Sequence, residues 1–189
     1  MNKMSDKFRD KYRIPSSRLQ NWDYSSNGYY FITICTKDRI DFFGKIIDDK
    51  IQLSINGEIA KKYWLEIPIH FLFVELDEFI IMPNHVHGIV IINNMSNVET
   101  PNLGVSTMGK TKPNNWEHGC LGVIINQYKR ICTMKIRKIN INFSWQARFY
   151  DNIIRNEKSF YYIRKYIKEN PMNWEQDRNN LSNQQPNGN

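Results

Sequence analysis

The stretch FIIMPNHVHGIVII, from Phe79 to Ile92, sets two apolar runs on either side of a short polar insert. Both runs are rich in isoleucine and valine, which is typical of strands buried in a sheet. Pro83 and Asn84 predict a turn between them, so the two runs form an antiparallel hairpin. The insert also contains histidines, and an unpaired polar group inside a protein costs about 1–3 kcal/mol. Imidazoles in a buried strand are therefore expected to have a functional role.

The two histidines of this stretch are spaced for joint action. Residues i and i+2 of a strand point to the same face of the sheet, so His85 and His87 project side by side. Two neighbouring imidazoles can bind one metal ion, with their rings oriented by hydrogen bonds from surrounding groups. The alternative is a pair of polar histidines on a solvated face of the sheet, and the spacing alone does not exclude it.

The remaining patterns predict an α+β domain. Strands are predicted over residues 29–36, 71–81 and 85–92, and a hairpin turning at 48–50 follows the first strand. The aromatic content of residues 145–154 favours an extended segment, with a loop as the alternative. Helices are predicted over residues 54–67, 121–138 and 156–170. In the first helix, Ile55, Ile59 and Tyr63 are spaced to form the buried face. This order predicts an antiparallel sheet with helices packed mainly on one face, in a ferredoxin-like arrangement.

Composition divides the chain of 189 residues into a core domain with polar ends. Residues 1–27 form a basic arm, and residues 28–175 contain nearly all of the apolar and aromatic patterning. Within that domain, residues 93–118 are rich in Asn, Gly, Pro and Thr and predict a loop or insertion. Residues 176–189 are polar and predict a disordered tail.

The charge balance favours a polyanionic partner. The formal net charge is +7, which suits nucleic acid better than a membrane surface. No apolar run is long enough to span a membrane, and the N-terminal residues lack the apolar run of a signal peptide. The three cysteines show no CxxC spacing, which indicates reduced thiols. These features predict a cytoplasmic protein that does not bind membranes.

Five segments together resemble one family, the HUH single-tyrosine transposases, and above all its REP-associated tyrosine transposase branch. The most specific is MPNHVH, which matches the HUH motif. The others are a first strand, a basic helix, a segment that leads into the last helix, and a terminal helix, and they occur in the same order as in the family. The segments are YYFITICT at 29–36, MPNHVH at 82–87, INQYKR at 125–130, WQARFYDNIIRNE at 145–157 and YIKENP at 166–171. The resemblance spans about residues 29–174 and identifies residues 28–175 as an HUH transposase-like catalytic domain.

The resemblance implies a tyrosine nucleophile on the last helix and a metal ion at the histidine pair. Tyr166 matches the family's tyrosine in its YIKENP context, and Tyr162, one turn earlier on the same face, is the alternative. His85 and His87 match the metal ligands. Asn170 matches the third ligand and lies four residues after Tyr166, on the same helix face. Its neighbour Glu169 competes for that role.

The metal ion that the resemblance implies is Mg²⁺ or Mn²⁺. Imidazole ligands tilt the choice toward Mn²⁺ or a softer ion. Of the basic residues, Lys129, Arg130 and Lys165 are candidate phosphate contacts, with solvated surface charge as the alternative for each.

The implied activity is cleavage and rejoining of single-stranded or hairpin DNA through a 5′-phosphotyrosine intermediate. Some members of the family form dimers whose tyrosine helix serves the partner's site, so both a monomer and a homodimer stay open. Two other functions compete with this one. A catalytically silent nucleic-acid-binding module would bind DNA without forming an adduct, and a metal-dependent hydrolase would stay active after Tyr166→Phe.

Overall fold

The computed structural model describes residues 22–93 and 120–184, together with two short strands nearer the N-terminus. The strands are β1 (Lys7–Phe8), β2 (Lys11–Tyr12), β3 (Gly28–Cys35), β4 (Gly44–Ile47), β5 (Lys50–Leu53), β6 (Val74–Ile81), β7 (His85–Ile92) and β8 (Tyr150–Ile154). The helices are α1 (Ile55–Leu65), α2 (Ile67–His70), α3 (Leu121–Ile136) and α4 (Glu157–Glu169), and 3-10 turns cover Lys37–Arg39, Trp174–Gln176 and Leu181–Gln184. The predicted loop over 93–118 lies outside the described residues after Asn93, and so does most of the basic arm.

The central sheet has four strands in the order β6-β7-β3-β8, and each neighbouring pair is antiparallel. With α1 between β3 and β6 and α3 between β7 and β8, this is the βαββαβ connectivity of a ferredoxin-like fold. The predicted fold class is therefore confirmed. The hairpin β4–β5 is inserted after β3 and turns at Asp48 and Asp49, whose φ angles are 48° and 57°. Positive φ angles at both central positions are those of a type I′ turn, a common two-residue hairpin connection.

One face of the sheet packs against α1 and α3 and holds the larger core. Trp64 of α1 is fully buried, and its ring lies edge-on to Tyr128 of α3, with centroids 5.2 Å apart. Gly88 of β7 lets the Trp64 ring approach, because a Cβ at that position would collide with it. The predicted inward position of Ile55 was wrong, since 67% of that residue is exposed. Its place on the buried face of α1 is taken by Gly57, which packs against the carbonyl of Phe43.

The opposite face of the sheet is covered by α4, which gives the fold its one helix on that side among the described residues. The helix begins after Asn156, whose side chain accepts a hydrogen bond from Ser159 N, and it ends before Pro171, as predicted. Apolar contacts are limited to a small cluster, Phe31, Ile89, Ile154 and Ile167. Two ion pairs also connect α4 to β6, Arg164–Asp77 at 2.7 Å and Lys168–Glu78 at 3.2 Å. As a result, β7 is buried on both faces.

After α4 the chain forms the last two 3-10 turns, Trp174–Gln176 and Leu181–Gln184. Between them, Asp177 and Asn179 are 9% and 3% exposed, so buried polar contacts rather than apolar ones hold this segment. The division of the chain at residue 176 stays a prediction. Within residues 22–93 and 120–184, every helix is too short or too polar to span a lipid bilayer.

Candidate active site

The histidine pair lies on the face of the sheet that α4 covers. His85 and His87 are opposite Cys35 and Thr33 of the neighbouring strand β3. Their exposed fractions are 0% and 1%, and their ring centroids are 4.4 Å apart. The two imidazoles are thus side by side, as the strand spacing predicts. The alternative of a solvated pair was wrong, because α4 and the C-terminal turns cover this face.

Asn84, in the turn before β7, fixes the protonation of His85. Both protons of its Nδ2 are used, since this nitrogen donates to the carbonyl oxygens of Arg39 at 2.9 Å and Asn179 at 3.0 Å. Its Oδ1 lies 2.9 Å from His85 Nδ1 and can only accept, so His85 Nδ1 carries the proton. The other ring nitrogen, His85 Nε2, then presents a lone pair. That atom is buried and has no hydrogen-bond partner among the described residues.

His87 is oriented in the same way. Its Nδ1 lies 2.9 Å from Thr33 Oγ1, and its ring also makes a hydrogen bond to the backbone of Ile32. The other ring nitrogen, Nε2, faces the site. The hydroxyl of Tyr166 lies within hydrogen-bond distance of this Nε2, at 3.2 Å. The ring of Phe31 stacks on His87, with centroids 5.3 Å apart.

Both imidazoles are held in the neutral form that ligates metal ions. Burial lowers the pKa of His85 to about 3, and the positive charges of Arg39 and Arg178 act in the same direction. Burial also lowers the pKa of His87 well below its ordinary value, with the charge of His85 as the next cause. Metal binding needs deprotonated nitrogens, so neither histidine has to lose a proton near neutral pH before it can bind.

Candidate oxygen ligands lie at the C-terminal end of α4 and in the turn that follows it. His85, His87 and Asp177 each offer one atom within 4.8 Å of the others. Asn170 donates from Nδ2 to Asp177 Oδ2 at 3.1 Å, which leaves its buried Oδ1 without a hydrogen-bond partner in the described part of the chain. The carboxylate of Glu169, the competing candidate, instead lies 3.8 Å from Lys165.

This set of side chains can hold a divalent cation. Two buried acceptors, His85 Nε2 and Asn170 Oδ1, have no hydrogen-bond partner within residues 22–93 and 120–184, and leaving a buried polar atom unpaired costs about 1–3 kcal/mol. They lie beside a second imidazole and the carboxylate of Asp177, which supplies the negative charge that the predicted ligands lack. Mixed imidazole and oxygen ligands suit Mn²⁺ and softer ions better than Mg²⁺.

Tyr166 is the tyrosine of α4 that the fold brings to the histidine pair. Tyr161 and Tyr162 are 64% and 57% exposed and contact each other on the outer side of the helix. Tyr166 is 43% exposed, so water reaches its ring while its hydroxyl points at His87. Burial raises the pKa of Tyr166, and the charge of Asp177 raises it further. Arg178 and Asn170 act in the opposite direction without cancelling that rise.

The predicted phosphate contacts lie in three different places. Lys129 donates from Nζ to the carbonyl oxygens of Gln146 at 2.8 Å and Arg148 at 2.9 Å, and burial lowers its pKa to about 8. Its partly exposed ammonium therefore supports a loop. Arg130 lines a cavity between α1, α2 and α3, on the face of the sheet away from the histidines. Lys165 lies on α4 next to Tyr166 and pairs with Glu169.

Three residues of the site escaped the sequence analysis. Asp177 and Arg178 fall in the stretch predicted to be disordered, and Arg39 lies in a short loop after β3. Arg39 donates from Nη1 to the carbonyl oxygen of Arg178 at 2.8 Å, so the two arginines meet beside His85. No local pattern marks them. The one available signal was an acidic and a basic residue shortly after the YIKENP segment.

Comparisons with known proteins agree with this fold. No family model matches the chain. An uncharacterized protein of Haemophilus influenzae is 40% identical over 163 residues, which cover 86% of this chain and 90% of that protein. The structure of a REP-associated tyrosine transposase bound to a REP hairpin aligns with a TM-score of 0.55 at 17% identity, over 84% of this chain and 74% of that one. This likeness shows a shared fold.

A second solved structure, of a candidate transposase from Deinococcus radiodurans R1, aligns with a TM-score of 0.44 at 12% identity. The alignment covers 80% of this chain and 96% of that one.

Proposed function

This chain belongs to the family of the uncharacterized Haemophilus influenzae protein, and we propose that it is a metal-dependent endonuclease and strand transferase acting on single-stranded DNA. The observation that carries the proposal is the Tyr166 hydroxyl, 3.2 Å from a buried histidine pair that has a carboxylate and an unpaired amide oxygen beside it. The shared fold with a tyrosine transposase bound to a hairpin supports hairpin DNA as the substrate.

The cation site is formed by His85, His87, Asp177 and Asn170. Its members come from β7, from α4 and from the turn after α4, so the site assembles only when the helix is packed on the sheet. When bound there, Mg²⁺ or Mn²⁺ would supply the charge that polarises the scissile phosphate. The two imidazoles are neutral and already oriented toward the site before a cation binds, which limits the reorganisation that ligation requires.

Tyr166 is the nucleophile in this proposal. Its raised pKa means that the phenol keeps its proton near neutral pH, because burial and the charge of Asp177 disfavour the phenolate. A cation held by His87 and its neighbours would place positive charge next to the Tyr166 hydroxyl, which would favour the phenolate. Water reaches the half-exposed ring and takes the proton away.

The reaction is a transesterification that conserves the number of phosphate ester bonds. The Tyr166 oxygen attacks phosphorus while the bond from phosphorus to the 3′ oxygen breaks, and that oxygen takes up a proton to leave as a 3′-OH. The 5′ end stays attached to Tyr166. Attack by another strand's 3′-OH reverses the step, returns the proton to the tyrosine and rejoins DNA without an external energy source.

A second function has gained support from the structure. The sequence offered no carboxylate to activate water, but Asp177 is buried at the histidine pair. Two histidines and one carboxylate can also hold a metal ion that generates hydroxide. A metal-dependent phosphodiesterase would then cleave DNA with water as nucleophile and would leave Tyr166 dispensable.

A covalent-adduct assay separates these functions. End-labelled single-stranded hairpin DNA is incubated with Mn²⁺ or Mg²⁺ and the parent protein, Tyr166→Phe, His85→Ala or the matched control Tyr162→Phe, and denaturant-resistant adducts are resolved on a gel. We expect a metal-dependent adduct with the parent and Tyr162→Phe and none with the other two. Cleavage that survives Tyr166→Phe would identify a hydrolase. DNA binding without cleavage by the parent would leave the catalytically silent module.

A further inference from the structure

A cavity of about 300 Å³ lies between α1, α2 and α3, on the face of the sheet away from the histidine pair. Its volume is at the lower end of the range of about 300–1,000 Å³ that is usual for sites of small ligands. The phosphate chemistry proposed above makes no use of it. We propose that this cavity binds a small organic carboxylate with a flat apolar body, and this inference does not depend on the proposed function.

The inner walls of the cavity are apolar. Ile67 of α2, Phe71 just after it and Ile124 of α3 line the cavity and are buried. The ring of Tyr128 also forms part of the floor, and its hydroxyl is already used in a hydrogen bond to the carbonyl oxygen of Ala60 at 3.2 Å. The floor therefore presents carbon surface, which favours an apolar body over a sugar or a bare inorganic ion.

Two aromatic rings keep the shape of the cavity. The ring of Tyr128 lies edge-on to Trp64 with centroids 5.2 Å apart, and the ring of Phe71 lies edge-on to Phe73 with centroids 5.9 Å apart. These contacts orient both rings before a ligand enters, which lowers the cost of binding. A planar ring is the apolar body best suited to such walls, since aromatic rings pack offset or edge-to-face on one another.

Arg130 supplies positive charge to the cavity. The sequence analysis offers it as a phosphate contact, but it lines this cavity and is exposed. It makes no hydrogen bond or ion pair with another described residue, and no aspartate or glutamate of the described ranges lines the cavity. The planar fork of a guanidinium matches the two oxygens of a carboxylate. An anion is therefore favoured over a cation.

Helix α3 places polar and apolar groups along one stripe of its surface. Gln127, Arg130, Ile131 and Met134 all line the cavity, at the spacing of three and four residues that makes side chains neighbours on a helix. The exposed Gln127 amide can donate to a carboxylate oxygen, and His70 at the end of α2 adds a ring N–H. Exposed polar groups and a buried apolar floor together fit a ligand with one ionised end and one apolar end.

The volume of the cavity limits the size of the ligand. Liquid water occupies about 30 Å³ per molecule, so the cavity has room for about ten non-hydrogen atoms. An aromatic ring with one carboxylate has this size, whereas a nucleotide or a phospholipid is too large to enter. A ligand of about ten atoms with ordinary efficiency binds with a Kd of about 1 mM.

The test compares benzoate with three probes that each lack one of its features. Benzamide has the same number of non-hydrogen atoms and no charge, heptanoate has the same number and a flexible chain, and inorganic phosphate is an anion without an apolar body. Each is titrated into the full-length protein labelled with nitrogen-15, and amide chemical-shift changes in NMR spectra give both Kd and location. The variants are Arg130→Gln, Ile131→Trp to fill the cavity, and the matched control Arg155→Gln, an exposed arginine after β8.

We expect benzoate to bind with a Kd of about 1 mM and to shift the amides of residues that line the cavity. Benzamide binds about tenfold more weakly, because it loses a charge-assisted hydrogen bond. Arg130→Gln weakens benzoate by the same factor and leaves benzamide unchanged, while Arg155→Gln changes neither. Heptanoate binds severalfold more weakly than benzoate, and phosphate causes no shift at the cavity.

Ile131→Trp abolishes benzoate binding while the far-ultraviolet circular dichroism spectrum stays that of the parent. Where this variant does not fold, the comparison of Arg130→Gln with Arg155→Gln decides, because both residues are exposed and neither change removes core volume.

Four results would overturn the inference. Benzoate that causes no shift at the cavity at about ten times the expected Kd would reject it outright, as is expected if the cavity instead receives an apolar side chain of a protein partner. Equal binding of benzoate and benzamide would remove the carboxylate contact. Phosphate as tight as benzoate would make Arg130 a contact for bare anions, and heptanoate as tight as benzoate would reject the flat body. DNA takes no part in these measurements, so the proposed function stands or fails separately.

Discussion

The two faces of the central sheet are made by the same strands and differ in what covers them. On one face, α1 and α3 bury a continuous apolar core around Trp64 and Tyr128. On the other face, α4 contributes a few apolar side chains, and the adjoining area holds buried histidines, an asparagine and an aspartate. Alternate residues of β7 enter both layers, so one strand serves the core and the site together.

The face covered by α1 and α3 contributes most of the stability of this fold, whereas the face covered by α4 contains buried polar groups that lower it. Burial of apolar surface on the α1 and α3 side stabilises the sheet by about 25 cal/mol per Å². On the α4 side, His85 Nε2 and Asn170 Oδ1 are buried without a hydrogen-bond partner in the described part of the chain, which opposes folding. We therefore expect changes on the first face to affect stability and changes on the second to affect function.

The largest effect is expected from Trp64→Ala on the core face. Trp64 is fully buried against Tyr128 and Gly88, and truncating a buried aromatic costs about 3–5 kcal/mol. Urea denaturation followed by circular dichroism measures the loss. Trp64→Phe is the control and should lose less, because it keeps an aromatic ring and removes an indole N–H that lacks a partner. A loss below about 1 kcal/mol for Trp64→Ala would break the contrast between the faces.

Metal addition should stabilise the protein through the other face. A ligand that binds only the folded state at a free concentration of 100 times Kd adds about 2.7 kcal/mol. We expect Mn²⁺ to raise Tm of the parent and EDTA to reverse the shift, while His85→Ala and Asp177→Ala remove it. Glu169→Gln is the matched carboxylate control on α4 and should keep the shift. If Asp177→Ala responded to Mn²⁺ like the parent, Asp177 would not be a ligand.

Tyr166→Phe should bind Mn²⁺ more tightly than the parent. The Tyr166 hydroxyl lies 3.2 Å from His87 Nε2, and breaking a hydrogen bond between them costs about 0.5–1.5 kcal/mol net, or about two- to tenfold in affinity. Quenching of Trp174 fluorescence can follow the titration, since its ring lies 6.0 Å from His85. Tyr162→Phe should match the parent. Weaker Mn²⁺ binding by Tyr166→Phe would mean that the phenol itself is a ligand.

The smallest effect is expected for Lys129, whose Nζ donates hydrogen bonds to the carbonyl oxygens of Gln146 and Arg148. Burial lowers its pKa to about 8 in the folded state, so the unfolded state binds more protons between that pH and the ordinary lysine value. Stability of the parent relative to Lys129→Met should therefore rise from pH 8 to 10, by about 1 kcal/mol after allowance for partial exposure. Thermal denaturation at both pH values checks the sign, and a fall would contradict the burial of this ammonium.

Local sequence patterns were sufficient for most of the fold. The apolar runs around Pro83 and Asn84 predicted the β6–β7 hairpin, and Asn156 and Pro171 predicted both ends of α4. These features depend on residues close in sequence, which is why they can be read from it. The prediction of the buried face of α1 was wrong at Ile55. Spacing of three and four residues along a helix does not show that Gly57 leaves room for the backbone of the preceding hairpin.

The sequence by itself determined the pairings that follow from backbone periodicity. Residues two apart in a strand placed His85 beside His87, and residues four apart in a helix placed Asn170 beneath Tyr166. Only the tertiary structure decided that Tyr166 and not Tyr162 meets the histidines, and that Asp177 joins them. The Tyr166–His87 contact joins residues 79 apart, and the Asn84–Asn179 bond joins residues 95 apart. Contacts at such separations depend on how α4 packs against the sheet, which no local pattern encodes.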